Sequence, residues 1–169
     1  MPAIYLIRHG KASPEAEDYD ELSPTGYEQA RLLGAELRRR DLRVGTVATG
    51  ALRRQRQTAE AVLAEAGIDA ARAADPRWDE YNHLGLLHAH PAGEGSLQER
   101  LDAALTSWIG AGGSGPGTWE GFRGGVRSAL SDLVSGLGRG ETALVSLRPG
   151  WSRRCARPCW APPPTGSWR

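Results

Sequence analysis

The sequence predicts an α/β fold, a three-layer sandwich in which helices flank a largely parallel central sheet. Short apolar runs alternate with longer stretches of helical periodicity, the pattern of β-α-β units. Two of those runs end at short polar segments, Arg8-His9-Gly10 and Thr49 to Arg54. In parallel sheets, sites form beyond the carboxyl ends of the strands.

In chain order, Ala3 to Ile7 reads as a buried strand that stops at Arg8-His9-Gly10. Ser23-Pro24 opens a helix, with Ser23 as N-cap and Pro24 in the first turn. Ala30, Leu33, Leu37 and the neighbouring Leu32 supply its apolar residues. Val44 to Thr49 reads as a second strand, and Leu52 to Ala66 as a second helix stopped by Gly67. Asp75 to Pro91 has no clear period and is expected to be irregular. Leu97 to Ile109 and Phe122 to Leu137 read as helices on either side of a Gly/Ser/Pro loop, Gly110 to Gly117. Thr142 to Val145 is the last strand.

Size and charge narrow the function classes. A chain of 169 residues suggests one domain with a real core. Its 40% hydrophobic and 24% charged residues are those of an ordinary globular protein. A net charge of +1 gives no field that favours nucleic acid or a membrane surface. No apolar run reaches the roughly 20 residues of a membrane span. The N-terminus lacks the basic region and apolar stretch of a signal peptide, so a cytoplasmic location is expected. Cys155 and Cys159 read as incidental thiols rather than a disulfide framework or a metal site. No feature specifies an oligomeric state.

The trio Arg8-His9-Gly10 is suited to phosphoryl transfer. A neutral imidazole is a competent nucleophile toward phosphorus. Arginine offers a planar fork that matches phosphate oxygens. Glycine lets a ligand approach the backbone. As a tripeptide the signal is weak, and its surroundings strengthen it. Leu6-Ile7-Arg8-His9-Gly10-Lys11-Ala12 resembles the nucleophile motif of the histidine phosphatase (phosphoglycerate mutase-like) superfamily. Leu22-Ser23-Pro24-Thr25-Gly26, followed by Gln29-Ala30, is similar to that family's next helix start. Thr49 to Glu60, with an arginine before Gln57-Thr58-Ala59, resembles its second motif. Trp78-Asp79-Glu80-Tyr81-Asn82-His83 resembles the acid-bearing segment of a bacterial subgroup.

The resemblance implies a phosphoglycerate mutase-like fold and a set of roles. His9 would attack phosphorus and become a transient phosphohistidine. Arg8 and Arg54, with Gly10, would bind the phosphate and the charge that grows on it. Glu80 would protonate the leaving alcohol, with Asp79 as its rival. Arg53 and Arg56 read as a solvated helix face. No metal or other cofactor is implied, because arginines supply the positive charge. His83, His88 and His90 lack the spacing of a metal site. Trp78 and Tyr81 read as core or pocket wall.

The chain departs from the family at its C-terminal end. The family carries a second phosphate-binding histidine after its last strand, and no histidine follows His90 here. The domain is therefore expected to span residues 1–146, C-terminally incomplete, followed by an aberrant, irregular tail over residues 147–169. From Leu147 onward the chain holds three of the six tryptophans, five of the eleven prolines and both cysteines, with no periodicity. Such a composition fits a GC-rich gene read in the wrong frame. Joining the third base of each codon to the first two of the next makes Cys159-Trp160 encode Leu and Trp160-Ala161 encode Gly. GC-rich choices elsewhere give an apolar helix ended by Gly and a Pro-containing turn. The expectation is a frameshift near codons 146 to 149, and a natural tail is the alternative.

The expected function is phosphomonoester hydrolysis on a phosphorylated small molecule or phosphoprotein. Phosphoglycerate mutase-like transfer and phosphohistidine-protein phosphatase activity are alternatives. So is a catalytically disabled remnant. A mutase must exclude water, and this chain is short of insertions that would build a lid. Nucleic-acid binding is disfavoured by the charge balance and the lack of interleaved aromatics.

Overall fold

The computed structural model describes residues 2–13, 19–91 and 93–147. Its elements run β1 (Ala3–Arg8), α1 (Pro24–Arg39), β2 (Thr46–Thr49), α2 (Arg53–Ala66), β3 (Ala71–Ala74), a 3-10 turn (Pro76–Trp78), α3 (His83–Ala89), α4 (Leu97–Gly110), α5 (Trp119–Gly136) and β4 (Thr142–Leu147). The strands form one parallel sheet in the order β1-β4-β2-β3. The last strand thus inserts between the first two, pairing Leu6 with Val145 on one side and Thr49 with Ser146 on the other.

Alternation along the strands builds two cores, because successive side chains point to opposite faces. Val47 and Leu144 face α1 and α2, where Ala30, Leu37, Ala59, Val62 and Leu63 close the first core. Ala48 and Val145 face the other way and meet Trp78 and Ala129, with Val126, Leu130 and Leu133 of α5 against them. This is the expected three-layer α/β sandwich. A third cluster lies apart from the sheet and joins Leu86, Ala104, Leu105, Trp108 and Trp119 from α3, α4 and α5.

The first half follows its local signals closely. Ser23 caps α1, its hydroxyl accepting from the Gly26 amide at 3.1 Å. Gly67 ends α2 with φ 68°, the left-handed conformation that favours glycine. Leu32 differs from expectation: it is 64% exposed, off the face that Ala30 and Leu37 bury. The second strand starts at Thr46 rather than Val44, because the Gly45 amide instead bonds Thr142 from the loop at 3.0 Å.

The later segments depart further. Ala71–Ala74 pairs with β2 although it lacks the β-branched residues that announce a strand. The stretch expected to be irregular contains the 3-10 turn and α3, started by Asn82, whose side chain accepts from the Gly85 amide at 3.0 Å. α5 begins at Trp119, before the expected Phe122, because Thr118 caps it. β4 continues past Val145 to Leu147. No helix among the described residues is long and apolar enough to cross a membrane. The tail beyond Leu147, including Cys155 and Cys159, lies outside the described residues.

Candidate active site

His9 leaves the carboxyl end of β1 and Arg54 opens α2 just beyond β2. Both loops start level with the end of β4: the His9 amide bonds the Leu147 carbonyl at 3.0 Å, and the Gly50 amide bonds Ser146 at 3.3 Å. Because β4 lies between β1 and β2, their outgoing loops diverge around it. Such a crevice is where ligands of open parallel sheets bind.

The R-x-x-Q-T stretch of α2 closes that crevice from one side. The Gly10 amide donates to the Thr58 hydroxyl at 3.0 Å, and that hydroxyl donates to the Arg54 carbonyl at 2.7 Å. Gln57 accepts from the Leu22 amide at 2.8 Å. Gly10 also packs on the first turn of α1. A Cβ there would meet the Gly26 carbonyl oxygen at 2.5 Å, closer than real contacts occur. Glycine is therefore required at this point by the packing of α1.

His9 is 8% exposed, and two of its contacts set its tautomer. Its Nδ1 lies 2.7 Å from the Gly10 carbonyl oxygen, which can only accept, so Nδ1 carries the proton. Its Nε2 receives the Arg54 Nε–H at 3.3 Å, and a guanidinium can only donate. The lone pair on Nε2 thus faces Arg54. The remaining corners of Arg54 go to Asp20, at 2.5 Å from Nη1, and to Glu80, at 3.3 Å from Nη2. The side chains of Arg54 and Glu80 are 8% and 4% exposed, so this ion pair is withdrawn from water.

The two rival carboxylates have different surroundings. Asp79 accepts from the amides of Ala51 at 2.6 Å and Leu52 at 3.4 Å, anchoring the loop that carries Arg54. Burial pushes its carboxyl above the ordinary Asp value, against those two hydrogen bonds. Glu80, not Asp79, bonds the guanidinium beside His9. Arg8 is exposed and lines a depression of about 460 Å³ together with His9, Gly10, Lys11, Tyr19 and Gln29. Its guanidinium has no hydrogen-bond partner among the described residues. Arg53 and Arg56 are exposed, and Arg53 pairs with Glu21 at 3.1 Å.

The geometry therefore links His9 to Arg54 and Arg54 to Glu80, and places Arg8 at the depression that His9 lines. Asp20 and the buried Gln55 were not anticipated. Gln55 donates to the Trp78 carbonyl at 3.2 Å, and its own carbonyl receives the Ser146 hydroxyl at 2.9 Å. Neither residue has a spacing that marks it, since their partners lie on other elements. Among the described residues no group of three or more His, Cys, Asp or Glu side chains is placed to hold a metal. The place for the family's second histidine, after β4, lies outside the described residues.

A larger and more apolar cavity, about 710 Å³, lies among α3, α4 and α5. Tyr81, Leu86, Trp108 and Phe122 line it, and the rings of Tyr81 and Trp108 stand 5.8 Å apart. Its one guanidinium, Arg77, is held by Asp75 and Asp132, each at 2.6 Å. Tyr81 follows Glu80 directly, so the cavity wall begins one residue from the site.

No curated protein matches the chain in sequence. Solved structures resemble it in fold. YhfR from Bacillus stearothermophilus superposes with a TM-score of 0.65 at 19% identity, over 96% of this chain and 86% of that one. A putative alpha-ribazole-5'-P phosphatase from Escherichia coli gives 0.59 at 20% identity, over 86% and 73%. A mycobacterial glucosyl-3-phosphoglycerate phosphatase complexed with VO3 gives 0.55 at 20% identity, over 84% and 73%. The model of the histidine phosphatase superfamily (branch 1) matches residues 4–147, which reach into every described strand and helix, and the chain belongs to that superfamily.

Proposed function

We propose that this chain is a phosphatase that hydrolyses phosphomonoesters through a phosphohistidine on His9. The observation that carries the reading is the pair of hydrogen bonds to the imidazole. With Nδ1 committed to the Gly10 carbonyl, Nε2 is the nitrogen that carries the lone pair, and it faces the arginine that would hold the phosphate. The attack forms an N–P bond and breaks the ester P–O bond. Glu80, paired with Arg54 in the free protein, carries a proton in the substrate complex, where phosphate takes its place on the guanidinium, and gives it to the leaving alkoxide. Water then attacks the phosphohistidine, its proton passes to the Glu80 carboxylate, and phosphate leaves. Arg8 and Arg54 balance the charge on the equatorial oxygens, so the step needs no metal. Gly10 serves by its close packing and by orienting His9 rather than by its amide, which Thr58 already holds.

The alcohol of the substrate belongs in the aromatic cavity beside Tyr81. Its volume is that of an ordinary small-molecule site, and its guanidinium is neutralised, so it suits an apolar or aromatic group. A phosphorylated small molecule fits that reading better than a phosphoprotein side chain. Residues 147–169 are proposed to be the product of a frameshift that replaced the end of the domain. Resequencing the locus tests this, and a clean read in the present frame would refute it.

The activity is tested by phosphate release from p-nitrophenyl phosphate, with His9→Ala alongside. Activity lost in the variant supports the reading. Equal rates in both, or no release from folded wild-type protein with any aryl or alkyl phosphate, contradict it.

A further inference from the structure

Arg54 is also bonded by a residue outside the motifs. Asp20 sits in the turn before α1 and uses both carboxylate oxygens. Oδ1 receives Arg54 Nη1 at 2.5 Å, and Oδ2 receives the backbone amide of Arg53 at 2.6 Å. A helix start leaves such amides without intrahelical partners, and a carboxylate there is favourable. A cap would need one oxygen. The other is on the guanidinium whose Nε donates to His9 Nε2.

The three contacts divide the guanidinium cleanly. Nε goes to His9, Nη2 to Glu80 and Nη1 to Asp20. Arginine is long and flexible, and one or two contacts leave its plane free to tilt. A third, from a carboxylate tied to the first residue of the same helix, fixes the plane. N–H donors remain for an incoming phosphate. Asp20 itself is 28% exposed in its side chain, against 4% for Glu80, which puts it toward the solvent side of Arg54.

We infer that Asp20 is the positioning residue for Arg54, holding the guanidinium in the orientation that serves the transferring phosphoryl group. This rests on the function proposed above. Asp20 need not touch the substrate; it acts through Arg54.

The test separates positioning from helix capping. D20A removes both bonds. R53P removes the amide that Asp20 caps, together with the exposed Arg53–Glu21 pair, and leaves the Asp20–Arg54 bond, at a first-turn position where proline is tolerated and after a residue, Leu52, already in an extended conformation. The readouts are kcat and KM with p-nitrophenyl phosphate, the Kd for vanadate by calorimetry, and the melting temperature. Vanadate takes up the trigonal-bipyramidal geometry of phosphoryl transfer, so it reports on the orientation of Arg54. D20A is expected to lower kcat by about 10- to 100-fold and weaken vanadate by a similar factor, with KM within about threefold. R53P is expected to lose melting temperature but keep kcat and vanadate affinity. D20N, which keeps the shape and loses the charge, is expected to show the D20A losses in smaller measure. A D20A or D20N protein that melts cooperatively and keeps wild-type kcat and vanadate affinity overturns the assignment. So does an R53P protein that loses as much as D20A. If wild-type protein binds vanadate but hydrolyses no ester, the proposed activity fails, while the vanadate comparison still decides the role of Asp20.

Discussion

The half of the chain that holds His9 and Arg54 is built differently from the half that lines the cavity. Residues 3–66 form two β-α units whose helices pack tightly, to the point that a Cβ on Gly34 would meet the Val62 carbonyl oxygen at 2.5 Å. Side-chain bonds from α2 then pin the loop after β1. Residues 75–125 instead comprise a 3-10 turn, the short α3, α4, a Gly-rich loop and the start of α5 around an aromatic cluster with room beside it. The difference teaches how one domain divides its work. Phosphoryl transfer needs angles and distances that only dense packing holds, whereas accepting an alcohol needs volume and an apolar wall. Substitutions in the first half should therefore change kcat for every substrate, and those in the second should change the choice among substrates.

The largest effect is expected at Arg54. Arg54→Ala should lower kcat by about 100- to 1000-fold with aryl and alkyl phosphates alike, as loss of a charge-stabilising donor does. A loss confined to one substrate would break the division. Glu80→Gln comes next and sharpens it. An alkoxide needs a proton and p-nitrophenolate does not. The rate should therefore fall by about 100-fold or more for an alkyl phosphate and far less for p-nitrophenyl phosphate. Equal losses would remove Glu80 from the role of acid.

Gly125→Leu probes the other half at about tenfold. Gly125 lines the cavity on α5, and a Cβ there meets only Arg77 side-chain carbons, at 3.8 and 4.0 Å. Replacing a mid-helix glycine removes its entropic cost, so the fold should persist while the new side chain takes up space in the cavity. kcat/KM for naphthyl phosphate should fall by about tenfold, with methyl phosphate unchanged; a uniform fall, or none, would dissociate the cavity from the substrate.

The smallest effect concerns pH. The Arg77 guanidinium beside Asp75 holds that carboxyl below its ordinary value. A carboxyl lowered in the folded state contributes stability above its unfolded value, and that stability is lost as pH falls through the folded one. The melting temperature of wild-type protein should drop on acidification, and Asp75→Asn should flatten that drop. An unchanged acid limb would show that the Asp75–Arg77 pair does not fasten the 3-10 turn to α5.

The same contrast explains what could be read from the sequence. α1 and α2 announce themselves through Ser23, Pro24 and Gly67 and through helical spacing, because capping and periodicity are local. β3 is silent, since Ala71, Arg72, Ala73 and Ala74 become a strand only by pairing with β2. α3 is short and its one buried residue, Leu86, faces a cluster assembled from α4 and α5. In the site, His9, Arg54 and Glu80 sit in recognisable motifs. Asp20 does not, because its meaning lies in a contact 34 positions away in the chain. Gly10 reads in the sequence as a glycine that lets a ligand approach, whereas the contact that demands glycine there, the close approach of Gly26, belongs to tertiary packing.

The central claim is that His9 carries the phosphoryl group, and trapping that intermediate tests it most directly. Wild-type protein mixed with a phosphate-labelled aryl ester, quenched in alkali to preserve the acid-labile bond, and mapped by mass spectrometry should carry phosphohistidine at His9. His9→Ala should carry none. Steady turnover with no label on the protein, or label on another residue, would contradict the account.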